Sequence, residues 1–84
     1  MTNPSTFDRI KKIIVEHLGA DPAKVTEDSN FEDDLGADSL DRLGLAFEAE
    51  LEFGVMISDD EAEAIQIVRD AVRCIDDKRQ REAA

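Results

Sequence analysis

The sequence predicts an all-α fold: a small four-helix bundle, three longer helices plus one short helix, with a long loop between helices one and two. Three observations predict it. Apolar residues recur at spacings of three and four in three separate stretches, the period of a helix with one buried face. Residues suited to helix ends bracket those stretches. A Ser-x-x-Glu pattern at Ser58 and Glu61 marks the start of a further, shorter helix. With 84 residues, one domain spanning 1–84 is expected, with a small core and modest stability.

In the first stretch Phe7, Ile10, Ile14 and Leu18 share a face that Ile13 widens, while Asp8, Lys11, Lys12 and Glu16 lie mostly outside it. Ser5 or Thr6 suits the N-cap and Gly19 the left-handed C-terminal position, so helix one is expected over about 6–18. From Gly19 to Asp38 the periodicity weakens. Asp21-Pro22 marks a turn or short helical start, since proline cannot lie deep inside a helix. The remainder reads as a long loop anchored by Val25, Phe31 and Leu35, and an ordered loop of that length is often functional.

Leu40, Leu43, Phe47 and Leu51 repeat the spacing, with Leu45, Ala46, Ala49 and Phe53 broadening the apolar surface. Helix two is expected over about 39–52. Two features weaken it locally: Gly44, which costs up to ~1 kcal/mol relative to alanine, and Glu48, Glu50 and Glu52 near its C-terminal end, where the dipole prefers cations. After Gly54 comes an apolar linker, Val55-Met56-Ile57, then a short helix from about Asp59 to Ala64. Ile65, Val68, Val72 and Ile75 trace a last helical face. Residues 76–84, charged and without an apolar stripe, are expected to fray.

Charge narrows the function classes. Ten Lys and Arg against twenty-one Asp and Glu give a net charge of −11. Nucleic acids and anionic membranes need cationic surface, so partners with basic patches are the complement. One cysteine, Cys74, permits no internal disulfide, and no Cys/His cluster could hold zinc; near an apolar face, it reads as a core filler. No apolar run approaches the ~20 residues of a membrane span, and Met1 to Thr6 lack the regions of a signal peptide. A soluble, monomeric, cytoplasmic protein is the expectation.

Gly36-Ala37-Asp38-Ser39-Leu40-Asp41 places a serine between two aspartates where the acidic loop enters helix two. A serine there is most simply an N-cap. Asp38 can fill that role equally well, which would leave the Ser39 hydroxyl at the first turn, where backbone N–H groups and the dipole favour a phosphoester. Catalysis by Ser39 would need a base. The single histidine, His17, lies near the end of helix one and reads as a solvated surface residue, and there is no Gly-x-Ser-x-Gly elbow. No enzyme activity is expected.

The segment Leu35-Gly-Ala-Asp-Ser-Leu-Asp41 resembles the Asp-Ser-Leu modification motif of acyl carrier proteins. The resemblance extends over nearly the whole chain, through Phe7-Asp-Arg-Ile-Lys-Lys-Ile-Ile14, Phe31-Glu-Asp-Asp-Leu35, Glu52-Phe53 and Asp60-Glu-Ala-Glu-Ala-Ile65. It implies a carrier whose 4'-phosphopantetheine arm, taken from coenzyme A by a phosphopantetheinyl transferase with Mg2+ present only during transfer, is joined to Ser39 and holds acyl groups as thioesters. Asp38 would then neighbour the transferase's magnesium and basic surface. Leu40 and Asp41 would open the helix that acyl-loading, condensing and acyl-transfer enzymes read. Leu43, Phe47, Glu50, Ile57 and Asp59 would join that recognition surface, and Leu43, Phe47, Ile57, Ala62 and Ile65 would line the acyl cleft. Ordinary core is the alternative for the cleft residues, and a merely solvated face for most of Glu50, Glu52, Asp59, Asp60, Glu61 and Glu63.

Four positions depart from the family's common fatty-acid pattern. Gly44 replaces a usual glutamate, Leu51 interrupts an acidic run, Phe47 stands where methionine is frequent, and Ser58 where proline is. A specialised carrier, serving a secondary metabolite, a modified lipid or an unusual acyl or aminoacyl unit, is therefore expected. Two other classes compete. Asp28, Asn30, Glu32 and Asp34 alternate like a calcium loop, but that loop needs glycine sixth and glutamate twelfth, where this chain has Asp33 and Ser39. An unmodified acidic adaptor docking on a basic partner would retain its function in Ser39→Ala.

Overall fold

A computed structural model describes residues 5–83, so Met1 to Pro4 and Ala84 lie outside the described residues. Helix α1 spans Thr6–Leu18, α2 Ser39–Phe53, α3 Asp59–Ala64 and α4 Val68–Ala83, with one 3-10 turn at Pro22–Lys24. The described residues form no strand beyond an isolated bridge between Asn30 and Ile67. Ser5 caps α1 by accepting the Asp8 N–H at 3.1 Å, and α1 and α2 both end on left-handed glycines, Gly19 and Gly54, each at φ 67°. The core gathers Ile10 and Ile14 from α1, Leu45 and Ala49 from α2, and Val68, Ala71 and Ile75 from α4.

The long loop is bound by its own polar groups. Val25, Phe31 and Ala37 are buried and Leu35 half-buried. Ser29, the one buried polar residue among the described residues, donates to the Lys24 carbonyl and accepts from the Thr26 N–H. Loop carbonyls then cap α4: Ser29 accepts from the Val68 N–H at 3.0 Å and Glu27 from that of Arg69 at 2.9 Å. Those N–H groups have no partner inside their own helix, so loop and helix complete each other.

Three sequence expectations are corrected. The apolar stripe of α2 faces outward: Leu40 is 78% exposed, Leu43 47%, Phe47 60% and Leu51 71%, while the smaller Ala46 and Ala49, with Leu45 and Phe53, face the core. At 100° per residue these two sets lie on opposite sides of the helix. Both read as helical, and periodicity does not say which one a neighbour covers. Ile65 does not begin α4; it is the extended residue that ends α3. Finally, α4 continues through the charged segment to Ala83. Thr6 donates to Asp76, Lys78 pairs with Glu61 at 2.8 Å, and Arg79 lies 5.4 Å from the Phe53 ring.

Arg9 offsets the acids at the end of α2. Its guanidinium bonds both the Glu52 carboxylate, at 2.7 Å, and the Glu52 carbonyl, and lies 4.3 Å from the Phe53 ring. A cation is thereby supplied in trans where the helix dipole asks for one.

Candidate functional site

The start of α2 is set by a run of local constraints. Ala37 is buried and its N–H reaches the Phe31 carbonyl at 2.7 Å, which fixes the backbone before Asp38. Asp38 is the N-cap: its carboxylate accepts the Asp41 N–H at 2.8 Å, and the Asp41 carboxylate accepts the Asp38 N–H at 3.2 Å. This reciprocal box satisfies two end donors. Ser39 therefore occupies the first helical position without a capping duty. It is exposed, and its hydroxyl makes no hydrogen bond among the described residues.

A shallow cleft of about 80 Å³ beside it is lined by Ser39, Arg42, Leu43, Ala62 and Glu63. Behind that cleft lies an apolar cavity of about 50 Å³ between the helices, with Ile10, Ile14, Ala46, Ile57, Ala62 and Ile65 among its walls. An exposed hydroxyl on an open cleft, backed by an apolar interior, suits attachment of a long arm through a phosphoester. The positive end of a fifteen-residue helix favours the phosphate.

Of the residues expected in the acyl cleft, Ile57, Ala62 and Ile65 line the cavity, whereas Phe47 lies on the outer face and Leu43 borders only the shallow cleft beside Ser39. Of the residues expected to meet partners, Leu40 and Asp59 are exposed, and Asp38 and Asp41 are engaged in the capping box while still reaching solvent. Glu50 is half-buried and accepts the Ile57 N–H at 2.9 Å, tying α2 to the linker before α3.

Arg42 is a site residue that the apolar pattern hides. It is the only basic residue of α2, and a lone cation in an acidic helix was the available signal. Its guanidinium donates to the carbonyls of Ala62 and Glu63, each at 3.1 Å, and to that of Ile65. A fourth bond reaches the Glu32 carboxylate at 3.2 Å.

His17 is also more than a solvated residue. Its imidazole lies over Gly44, where an added Cβ would come within 2.8 Å of the ring, and its Nδ1 is 3.4 Å from the Glu48 carboxylate. The ring sits more than a helical turn from Ser39 along α2, so it is no base for that hydroxyl. The acids of the calcium-like run have other duties: Asp34 accepts the Asn30 N–H within the turn, while Glu32 pairs with Arg42 on α2 and Asp28 with Arg69 on α4.

Lys78 and the Ser58 N–H hold the Glu61 carboxyl down to about 2. Burial, then Glu61 nearby, pushes the Cys74 thiol up, which disfavours a reactive thiolate. Among the described residues no helix is long and apolar enough to cross a membrane.

A family model described as the phosphopantetheine attachment site matches residues 8–75. Among solved structures, an acyl carrier protein from Enterococcus faecalis is similar at 38% identity and a TM-score of 0.74, over 87% of this chain and 92% of that one. A serine freed from capping at the head of α2, in a helical bundle alike in sequence and shape, agrees with both comparisons: the chain belongs to the phosphopantetheine-attachment family of carrier proteins.

Proposed function

We propose that this protein is an acyl carrier whose 4'-phosphopantetheine arm is joined to Ser39, and that it passes thioester-linked acyl groups among biosynthetic enzymes in a specialised pathway of the cytoplasm. The observation that carries the reading is the division of labour at the head of α2. Asp38 and Asp41 cap the helix, which leaves the Ser39 hydroxyl exposed on the cleft.

In the attachment step the Ser39 oxygen bonds to the pantetheine-side phosphorus of coenzyme A. The pyrophosphate P–O bond breaks, the adenosine bisphosphate half leaves, and the serine proton passes to a base on the transferase. Asp38 and Asp41 would present negative charge to that enzyme's magnesium and basic surface. The bound arm supplies a terminal thiol that holds the acyl group, and its reach raises the local concentration of cargo at a docked enzyme.

Partner enzymes would read Leu40, Leu43, Phe47 and Leu51 on the outer face of α2, with Asp59 beyond it. Acids around such a face speed encounter with basic patches more than they tighten binding, which suits a carrier that must leave each enzyme. Leu51 among the acids and Gly44 beneath His17 replace charge with apolar surface or an internal contact, and both support a specialised clientele.

Incubating the protein with coenzyme A, Mg2+ and a broad phosphopantetheinyl transferase should add one pantetheine arm to the intact mass of the wild type and nothing to Ser39→Ala, with equal helicity in both. A folded Ser39→Ala that still gains the arm, or a wild type that gains none from any transferase tried, overturns the proposal.

A further inference from the structure

We propose that Arg42 is the gate between the Ser39 cleft and the apolar cavity, and that its grip on the end of α3 sets how long an apolar chain must be before the bundle encloses it. This inference rests on the acyl-carrier reading. Arg42 and Ala62 are the residues that line both spaces, so Arg42 stands in the wall between them. It is also a clasp: one nitrogen holds the carbonyls of Ala62, Glu63 and Ile65, and the other holds Glu32 on the long loop. The carbonyls at a helix end have no partner within the helix, and a cation there is favourable. This one residue therefore joins α2, the loop and α3.

The cavity cannot receive a chain as it stands. Its volume is about 50 Å³, where a single water needs ~10–15 Å³ on the same measure, so enclosing a long alkyl chain requires the helices to separate. α3 is the element suited to move: it has six residues and buries only Ala62. It is held on one side by Arg42 and on the other by the Glu61–Lys78 pair. Opening the wall at Ala62 and Ile65 breaks the Arg42 clasp, which opposes entry by a fixed amount. Each methylene buried multiplies the enclosed population about fourfold. A chain that brings enough methylenes overcomes the clasp; an acetyl or aminoacyl unit does not and stays outside.

The test loads apo-protein with acyl-pantetheine arms from acetyl-, butyryl-, hexanoyl-, octanoyl- and decanoyl-coenzyme A, confirms each load by intact mass, and follows the Ile10, Ile14 and Ile75 methyl resonances as reporters of enclosure. Arg42→Met keeps the apolar stem and removes the clasp. It should raise the enclosed population about tenfold at a given length, shifting the chain-length threshold shorter by about two carbons. Glu32→Gln loosens the other end of the clasp and should shift the threshold in the same direction by less. A purely structural role for Arg42 would lower the melting temperature and leave the threshold where it is.

An unchanged threshold in folded Arg42→Met overturns the gate. Should that variant fail to fold, an unchanged threshold in Glu32→Gln does so. Failure to load any arm at Ser39 is read by mass before enclosure is measured, and it sinks the carrier reading and the gate with it.

Discussion

Ser39 and Gly44 are positions where one residue's conduct is explained by another's. Ser39 is available because Asp38 and Asp41 satisfy the end of the helix between themselves. Gly44 is small because the imidazole of His17 rests on it. In an open helix interior, Gly→Ala is worth up to ~1 kcal/mol; here the methyl would displace the ring and its Glu48 contact. Gly44→Ala is thus expected to stabilise His17→Ala by about that amount and the wild type by less. Urea unfolding of the four-member cycle should give a coupling of about 0.5 kcal/mol or more. Additive effects would show that the ring does not constrain this position. None of this was readable from Gly44 alone, because the residue that occupies its space is on another helix.

At the scale of elements, α3 is the piece most dependent on its neighbours. Six residues are far too few to hold a helix alone. Its capping box at Ser58 and Glu61, visible in the sequence, is present with the Glu61 N–H to Ser58 Oγ bond at 3.1 Å. What the sequence did not show is that Glu61 also meets Lys78 on α4. That carboxyl is held down to about 2 from 4.5. A group whose folded value is depressed adds stability that is present above its unfolded value and is lost as pH falls through its folded value. The contribution of Glu61 is therefore whole above about 4.5 and fades from there towards about 2. Thermal unfolding of wild type and Glu61→Gln should differ most at neutral pH and converge as the pH falls below about 4. A gap that widens on acidification would contradict the Glu61–Lys78 assignment. The carboxylate is 41% exposed, so salt should narrow the gap as well.

α2 teaches a different lesson from α1 and α4. Those two have one apolar face each, and Ile10, Ile14, Val68 and Ile75 are buried as the spacing required. α2 has apolar residues on two sides, and the side with the larger, more regularly spaced ones is the side left in water. Free side chains such as Leu51 at 71% exposed and Met56 at 81% are what a docking surface needs and a core does not.

For the molecule as a whole, charge is the governing term. The excess of eleven negative charges works against compaction, and the described ion pairs, such as Arg9–Glu52 and Arg69–Asp28, each keep an exposed carboxylate, where solvent screens the attraction. Repulsion should therefore outweigh them. Raising ionic strength from about 0.01 M to 0.15 M shortens the screening length from ~30 Å to ~8 Å, and the melting temperature should rise. A fall would mean that the ion pairs carry more of the stability than the net charge removes.

The sequence by itself determined what depends on near neighbours in the chain: where the first three helices lie, that Gly19 and Gly54 end two of them, that Ser58 and Glu61 box the third, and that a serine between two aspartates stands at the head of the second. Capping boxes and apolar spacings act over three or four residues, so the order of residues is enough to state them. Tertiary structure alone decided which face of α2 is covered, that Arg42 reaches across to the end of α3, that His17 fills the space above Gly44, and that α4 continues through its charged end. Each of these turns on a partner distant in sequence, and burial or pairing belongs to whichever surface that partner meets.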